Sequence, residues 1–217
     1  MAEQEVTNIL AIDDHPLFRK GVADLIDMDD SLRLVGEAAN GQDGLALVRE
    51  LRPDLILLDI NMKGISGLET LKAIKELDLD IRVLMLTVSD SEEDVISALR
   101  MGADGYLLKD MEPEDTLDCL NKAARGQLVI SERLTQLLAH ALRGDDRQQE
   151  RTRGTEDLTE RERQILGLIS QGMSNKLIAR ELDISEGTVK VHVKHLLKKL
   201  ALHSRVEAAV WALKNLP

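Results

Sequence analysis

The sequence holds a single cysteine, Cys119, and only three aromatic residues, Phe18, Tyr106 and Trp211, among its 217. One cysteine excludes a disulfide framework, a CxxC metal site and a thiolate cluster. No apolar run reaches the roughly 18 residues of a membrane helix, and the first residues lack the basic-then-apolar pattern of a secretory signal. Neither GxxxxGK followed by Ser or Thr nor a GxGxxG after a strand occurs, which argues against a fold for ATP or NAD. Cys119 and Ser66 have no general-base partner in their sequence surroundings. Basic charge is short too: 28 Lys and Arg stand against 39 Asp and Glu, net −11. Taken whole, that balance argues against nucleic-acid binding. Apolar residues are plentiful at 43%, too many for a disordered chain. The expectation is a cytoplasmic protein that makes no use of a membrane.

Divided by region, the charge is uneven. Residues 1–142 carry 14 basic and 28 acidic side chains, net −14. Residues 143–154, RGDDRQQERTRG, are net +1 and hold no Val, Ile, Leu, Met or aromatic residue. Such a stretch cannot bury itself and reads as linker. Residues 155–217 are net +2. Two domains follow: residues 1–126, then a helix and flexible linker over 127–156, then residues 157–217.

In the first region, short apolar runs at 8–12, 32–38, 55–59, 82–87 and 105–109 alternate with helical patterns at 17–27, 41–51, 67–77, 92–101 and 112–124. Several runs are apolar on consecutive positions, as strands of a parallel sheet covered on both faces require. Ser91 before three acids and Pro113 in a first turn read as helix starts. Five βα units predict an α/β fold, a doubly wound (βα)5 sandwich. The second region reads as a smaller all-α domain. Thr159 to Glu162 and Ser204 to Glu207 spell capping boxes, and Ser174 and Ser185 cap two further helices. Four short helices fill about 60 residues.

Ligands bind at the carboxyl ends of parallel strands. There the first domain places Asp13 and Asp14, Asp59, Thr87 and Lys109. Crowded carboxylates repel unless a hard divalent cation neutralises them, and Mg2+ suits a site of carboxylates and one carbonyl. Asn61, two residues past Asp59, offers that carbonyl. A Lys and a hydroxyl beside the ion can hold phosphoryl oxygens, and carboxylates serve as phosphoryl acceptors. For any one position, an Asp closing a strand is equally well a turn or cap residue. The argument rests on the set. His15 reads as the start of a loop before Pro16.

AIDDHP (11–16), LILLDINMKGISGLE (55–69), LTVSD (86–90) and GADGYLLKD (102–110) resemble the receiver domain of two-component response regulators. The resemblance implies that Asp59 accepts phosphate from a sensor histidine kinase. It implies that Asp14, Asp59 and the Asn61 carbonyl hold Mg2+, with Asp13 helping through water. Thr87 and Lys109 would contact the phosphoryl group, and Tyr106 would change rotamer on activation. Position 63 departs from the pattern: it is Lys where receivers usually have Pro.

The helical segment EGTVKVHVKHLLKKL (186–200) concentrates the second domain's charge. Val189, Val193, Leu196 and Leu200 form a core stripe, and Lys190, Lys194 and Lys198 recur at i, i+4, i+8 on another face. A solvated amphipathic face would show the same lysines. The preceding helix, the LDIS turn with Ile184 inward and the exposed Val191 turn the balance towards a helix-turn-helix DNA reader, with Val191 facing a thymine methyl. Ser174, Asn175 and Ser185 at helix starts are placed for phosphates.

LTERERQILGL (158–168) followed by SNKLIARELDISEGTVKVHVKHLLKKL (174–200) resembles the LuxR-type helix-turn-helix of the NarL/FixJ family. The whole is similar to the nitrate/nitrite-responsive members of that family. That implies base contacts from Lys190, Val191 and Lys194, phosphate contacts from Lys198 and Lys199, and a homodimer on double-stranded DNA through Val206, Ala209, Val210 and Leu213. It further implies a recognition helix held against the unphosphorylated receiver, and RNA polymerase as a partner. Trp211 reads as a core residue. Two alternatives stand beside this non-enzymatic reading. One is a Mg2+-dependent aspartyl-phosphate phosphatase, which needs a general acid two residues past the nucleophile, where this chain has Asn61. The other is a receiver whose helical tail binds protein.

Overall fold

Alternation along the strands decides the layering. The computed structural model describes residues 6–77, 79, 81–88, 92–127, 129 and 158–216. Five strands, β1 (Thr7–Ile12), β2 (Leu32–Ala38), β3 (Leu55–Asp59), β4 (Arg82–Thr87) and β5 (Gly105–Leu108), form one parallel sheet in the order β2-β1-β3-β4-β5. Leu10, Ile12, Ile56, Leu58 and Met85 point to one face, where Val48, Leu71, Ile74, Val95 and Leu99 cover them. These come from α2 (Gly41–Leu51), α3 (Gly67–Glu76) and α4 (Glu92–Arg100). Ile9, Leu55, Leu57, Leu84 and Leu86 point to the other face, under Val22, Ile26, Leu120 and Ala123. These belong to α1 (Pro16–Ile26) and α5 (Pro113–Ala124). A period of two on a doubly covered sheet produces this split. β3, the central strand, is buried at all five positions.

Local signals agree with the helix starts. Pro16 and Pro113 stand in first turns, and Asn40 caps α2. Ser66 and Glu69 make a capping box at α3 that the sequence reading missed. Ser91 lies outside the described residues, as does the linker apart from Gln127 and Val129. The first domain does not stop at 126. Val129 pairs with Gly105, accepts the Tyr106 amide at 3.0 Å and is buried on the α1/α5 face.

The second domain has α6 (Glu160–Ser170), α7 (Asn175–Glu181), α8 (Glu186–Lys199) and α9 (Arg205–Asn215). Thr159 and Glu162 form the expected capping box. Ile165, Leu166, Ile169, Ile178, Val189, Leu196, Leu200 and Val206 are buried together, while Val193 is only half-buried. Each fully buried aliphatic side chain contributes roughly 1.5–3 kcal/mol. Asp183, with φ of 52°, makes the left-handed step between α7 and α8, and Ile184 packs inward as expected. Trp211 is buried in α9.

The two domains touch. Buried residues of α4 and α9 belong to one continuous apolar cluster. Gly126, just past α5, fits against Ser174 so closely that a Cβ there would lie 2.2 Å from the Ser174 Cβ.

Candidate phosphoacceptor pocket and nucleic-acid interface

Because the strands are parallel, their carboxyl ends share one edge, and the expected acids meet there. Asp13 and Asp59 are each 1% exposed, and Thr87 is buried at the end of β4. The Lys109 ammonium lies 2.7 Å from Asp13 Oδ2 and 2.9 Å from Asp59 Oδ2. Its backbone amide donates to the Thr87 carbonyl at 2.7 Å, which fixes the start of its side chain. Burial pushes the Asp59 carboxyl above the usual carboxylate range; Lys109 opposes this and the Asp13 charge adds to it. Gly67 begins α3 directly against Asp59: a Cβ at 67 would lie 2.0 Å from the Asp59 carbonyl oxygen. Only glycine allows this approach.

Asp13 Oδ2 and Asp59 Oδ2 share the single Lys109 ammonium, and Asp14 Oδ1 faces the His15 imidazole, so three carboxylates converge on one permanent positive charge. Donor atoms of Asp13, Asp14, His15 and Asp59 lie within 4.8 Å of one another. Convergent, hard carboxylate oxygens with more negative charge than Lys109 offsets fit a divalent cation. Asn61 is exposed, and its amide donates to Asp59 Oδ1 at 3.3 Å. Lys63 is exposed, and the turn is completed by Gly64 with φ of 86°. Tyr106 is turned inward, 4% exposed, within the cluster that includes Val95, Ala98 and Leu99 of α4.

Three residues here were not anticipated. His15 faces the acids, with Nδ1 2.9 Å from Asp14 Oδ1 and 3.3 Å from Asp13 Oδ1. The Phe18 ring lies 4.9 Å from the Lys109 ammonium, a cation–π contact. The Arg19 guanidinium donates to the Asp13 carbonyl. A first helical turn beside β1 was the only available signal for them.

In the second domain, α8 presents Val191, Lys194 and Lys198 to solvent, with Val191 53% exposed and Lys190 half-buried. This outward face is the one the lysine spacing gave. Lys199 departs from expectation: its ammonium donates to the buried Glu162 at 2.7 Å, tying the end of α8 to the start of α6. Burial works against the Glu162 charge, but Lys199 and the Thr159 backbone and hydroxyl outweigh it and hold the carboxyl below its ordinary range. Ser185 caps α8 and is exposed. Ser174 and Asn175 are half-buried: Ser174 caps α7 beneath Gly126, and Asn175 accepts from Arg205 at 2.9 Å.

The pairing face on α9 also needs correction for this arrangement. Val206, Ala209 and Val210 are at most 2% exposed because α9 packs on α6, α8 and α4, and only Leu213 is open, at 63%. The receiver therefore covers α9 and the start of α7, while the outer face of α8 stays exposed. Holding of the recognition helix itself is not what this arrangement displays.

Residues 9–121 match the response regulator receiver domain, and residues 156–212 match the bacterial regulatory proteins of the luxR family. The chain is 57% identical over 211 residues to the nitrate/nitrite response regulator protein NarL of Escherichia coli strain K12, covering 97% of both chains. It is 44% identical over 219 residues to the nitrate/nitrite response regulator protein NarP of the same strain, covering 99% of this chain and 98% of that one. Among solved structures, the response regulator ChrA of a heme-sensing two-component system is 31% identical, with a TM-score of 0.52 over 96% of this chain and 97% of its own.

Proposed function

The chain belongs to the response regulators that join a receiver domain to a LuxR-family DNA-binding domain, and from that premise we propose that a sensor histidine kinase phosphorylates Asp59 to control nitrate- or nitrite-responsive transcription. The observation that carries the acceptor assignment is the buried Asp59 carboxylate at the end of the central strand, with the Lys109 ammonium 2.9 Å from its Oδ2. In transfer, a carboxylate oxygen of Asp59 attacks phosphorus, a P–O bond forms, and the P–N bond of the donor phosphohistidine breaks with its electron pair returning to the imidazole. Lys109 and the Thr87 hydroxyl bind the phosphoryl oxygens. Asp13, Asp14, Asp59 and the Asn61 carbonyl would hold Mg2+, which supplies positive charge against the carboxylates and the incoming phosphoryl group. The Asn61 carboxamide donates hydrogen bonds but is far too weak an acid to protonate a leaving group, which disfavours a phosphatase.

The added group carries roughly −1.5 to −2 charge and three acceptor oxygens. Thr87 ends β4, just before the segment leading into α4, and Tyr106 packs beneath α4. Drawing Thr87 and Lys109 onto phosphate therefore disturbs the surface that holds α9. Release uncovers Ser174, Asn175 and the side of α9 that faces α4, so that two copies can pair on DNA through α9, with Val206, Ala209, Val210 and Leu213 at or beneath the joined faces. Lys190, Val191 and Lys194 then meet bases, Lys198 and Ser185 meet phosphates, and contact with RNA polymerase follows on the promoter. Lys199 joins them only by leaving Glu162.

Labelling with acetyl phosphate and footprinting test this reading. Wild-type protein takes label and protects paired half-sites once phosphorylated. Undiminished label on Asp59→Asn would overturn the acceptor assignment, and equal protection without phosphate would overturn the gating.

A further inference from the structure

We propose that the cleft between the two domains is a binding site for an oligophosphate anion, and that the bound anion holds the closed form. The site stands on its own geometry, while its effect on DNA rests on the reading that phosphorylation opens the domains. The cleft encloses about 900 Å3, the size of a small-molecule site. One wall is the amino edge of the sheet, opposite the phosphoacceptor edge, together with the end of α5. The other is α7 with parts of α6, α8 and α9.

Charge sets what the cleft takes. Five cations line it, Arg82 and Arg125 from the receiver and Lys176, Arg180 and Arg205 from the DNA-binding domain, against Asp54, Asp104 and Glu186. Two of those acids have partners of their own. Asp104 takes Lys75 at 2.7 Å and the Val83 amide at 2.9 Å, and Asp54 accepts the Asn8 amide at 2.8 Å. This basic lining is local, because residues 1–142 are net −14.

The fold sets the cations in place. Arg82 donates to the carbonyls of Ala123 and Ala124 at the end of α5, the latter at 3.0 Å. Arg205 donates to the Met173 carbonyl and to Asn175 at 2.9 Å. Gly126 against Ser174 fixes the spacing of the walls, and Arg125 and Arg180 are exposed, one on each wall. Guanidinium forks match phosphate oxygens, and several of them spread over two walls suit a chain of phosphates. No described residue lining the cleft is aromatic, so nothing there stacks a base.

Neither wall alone supplies the set, so the anion favours the closed arrangement, and by linkage anion and DNA weaken each other's binding. Ser174 and Asn175, which the open form offers to DNA phosphates, line the same cleft.

Calorimetry with sodium tripolyphosphate on unphosphorylated full-length protein, at constant ionic strength and without Mg2+, tests the site. Wild-type protein binds the anion, and Arg125→Glu and Arg180→Gln each weaken it on the order of tenfold, as expected for one lost charge-assisted contact. Arg125 lies on the receiver, so its variant separates the cleft from the basic face of α8. No binding by wild type, or unchanged binding in either variant, overturns the proposal. ATP binding more tightly than tripolyphosphate overturns the ligand class. In anisotropy on a half-site pair, tripolyphosphate lowers the DNA affinity of wild type more than that of Arg125→Glu; equal lowering overturns the holding of the closed form. If phosphorylation leaves DNA affinity unchanged while the calorimetric result holds, the gating reading fails and the site stands.

Discussion

Arg100, at the end of α4, lies 3.7 Å from Glu207, in the first turn of α9, measured Nε to Oε1 across the domain boundary. Glu207 is 1% exposed, and its other oxygen accepts the His203 amide at 2.6 Å. The sequence reads Ser204–Glu207 as a capping box, and half of it forms: Ser204 Oγ accepts the Glu207 amide. The carboxylate reaches back one residue further and turns to the receiver. Glu207 is buried while Arg100 is partly exposed; removing the arginine leaves a buried carboxylate without its nearest cation, and domain opening relieves that cost. Arg100→Gln therefore raises the DNA affinity of unphosphorylated protein on the order of tenfold, within the usual range of site-to-site coupling. Fluorescence anisotropy on a half-site pair checks it; equal affinities of variant and wild type would count against a closed state held by this contact.

Lys109 offsets two buried carboxylates at once. Replacing it by Met leaves Asp13 and Asp59 repelling each other without their nearest cation. Lys109→Met then binds Mg2+ more tightly than wild type, and Mg2+ raises its melting temperature more, while phosphoryl binding weakens. Calorimetry and thermal melts read both. Weaker Mg2+ binding in the variant would show that the ammonium is not competing for the same oxygens.

The Glu162 carboxyl has a pH signature. The group is held below the ordinary glutamate value of 4.5, so the stability it contributes is present above that value and is lost as pH falls through the lower, folded one. Trp211, the single tryptophan, reports on this domain. Urea unfolding followed by its fluorescence shows a smaller loss of stability between pH 7 and pH 3.5 for Glu162→Gln than for wild type. Parallel losses would remove Glu162 as the titrating group.

Lys198 and Lys199 are neighbours with different work. Lys198 is exposed on the basic face, and Lys199 is bound to Glu162. Lys198→Ala reduces the slope of log affinity against log salt by about one and leaves stability unchanged. Lys199→Ala lowers stability by about 1–3 kcal/mol, as expected when a buried carboxylate loses a charged hydrogen bond. Swapped outcomes would reverse the assignment.

Gly67 tests the acceptor's support. Gly67→Ala drives a methyl into the Asp59 carbonyl, so the start of α3 must move. The receiver melts at lower temperature and labelling by acetyl phosphate falls steeply. Normal labelling would mean that α3 can shift without disturbing Asp59.

Much of this was legible along the chain. Runs such as LILL marked strands covered on both sides, and once the strands are parallel, Asp13, Asp14, Asp59, Thr87 and Lys109 must share an edge. The lysine spacing gave the outward face of α8 at Lys194 and Lys198, while Lys190 of the same stripe is half-buried. What escaped was contact between remote segments. His15 looked like a loop start, Lys199 like one more surface lysine, and Val206, Ala209 and Val210 like a free pairing face.

The sequence by itself determined the two domains, the order of elements and the residues at the carboxyl edge. Periodicity and capping are local, and parallel strand ends converge by geometry. Only the tertiary structure decided that Glu207 meets Arg100, that Gly126 seats on Ser174 and that Glu162 takes Lys199. A pattern of burial says which face of a helix is covered but not by what. Which partner covers it depends on how whole elements pack, and here that packing sets receiver against DNA-binding domain.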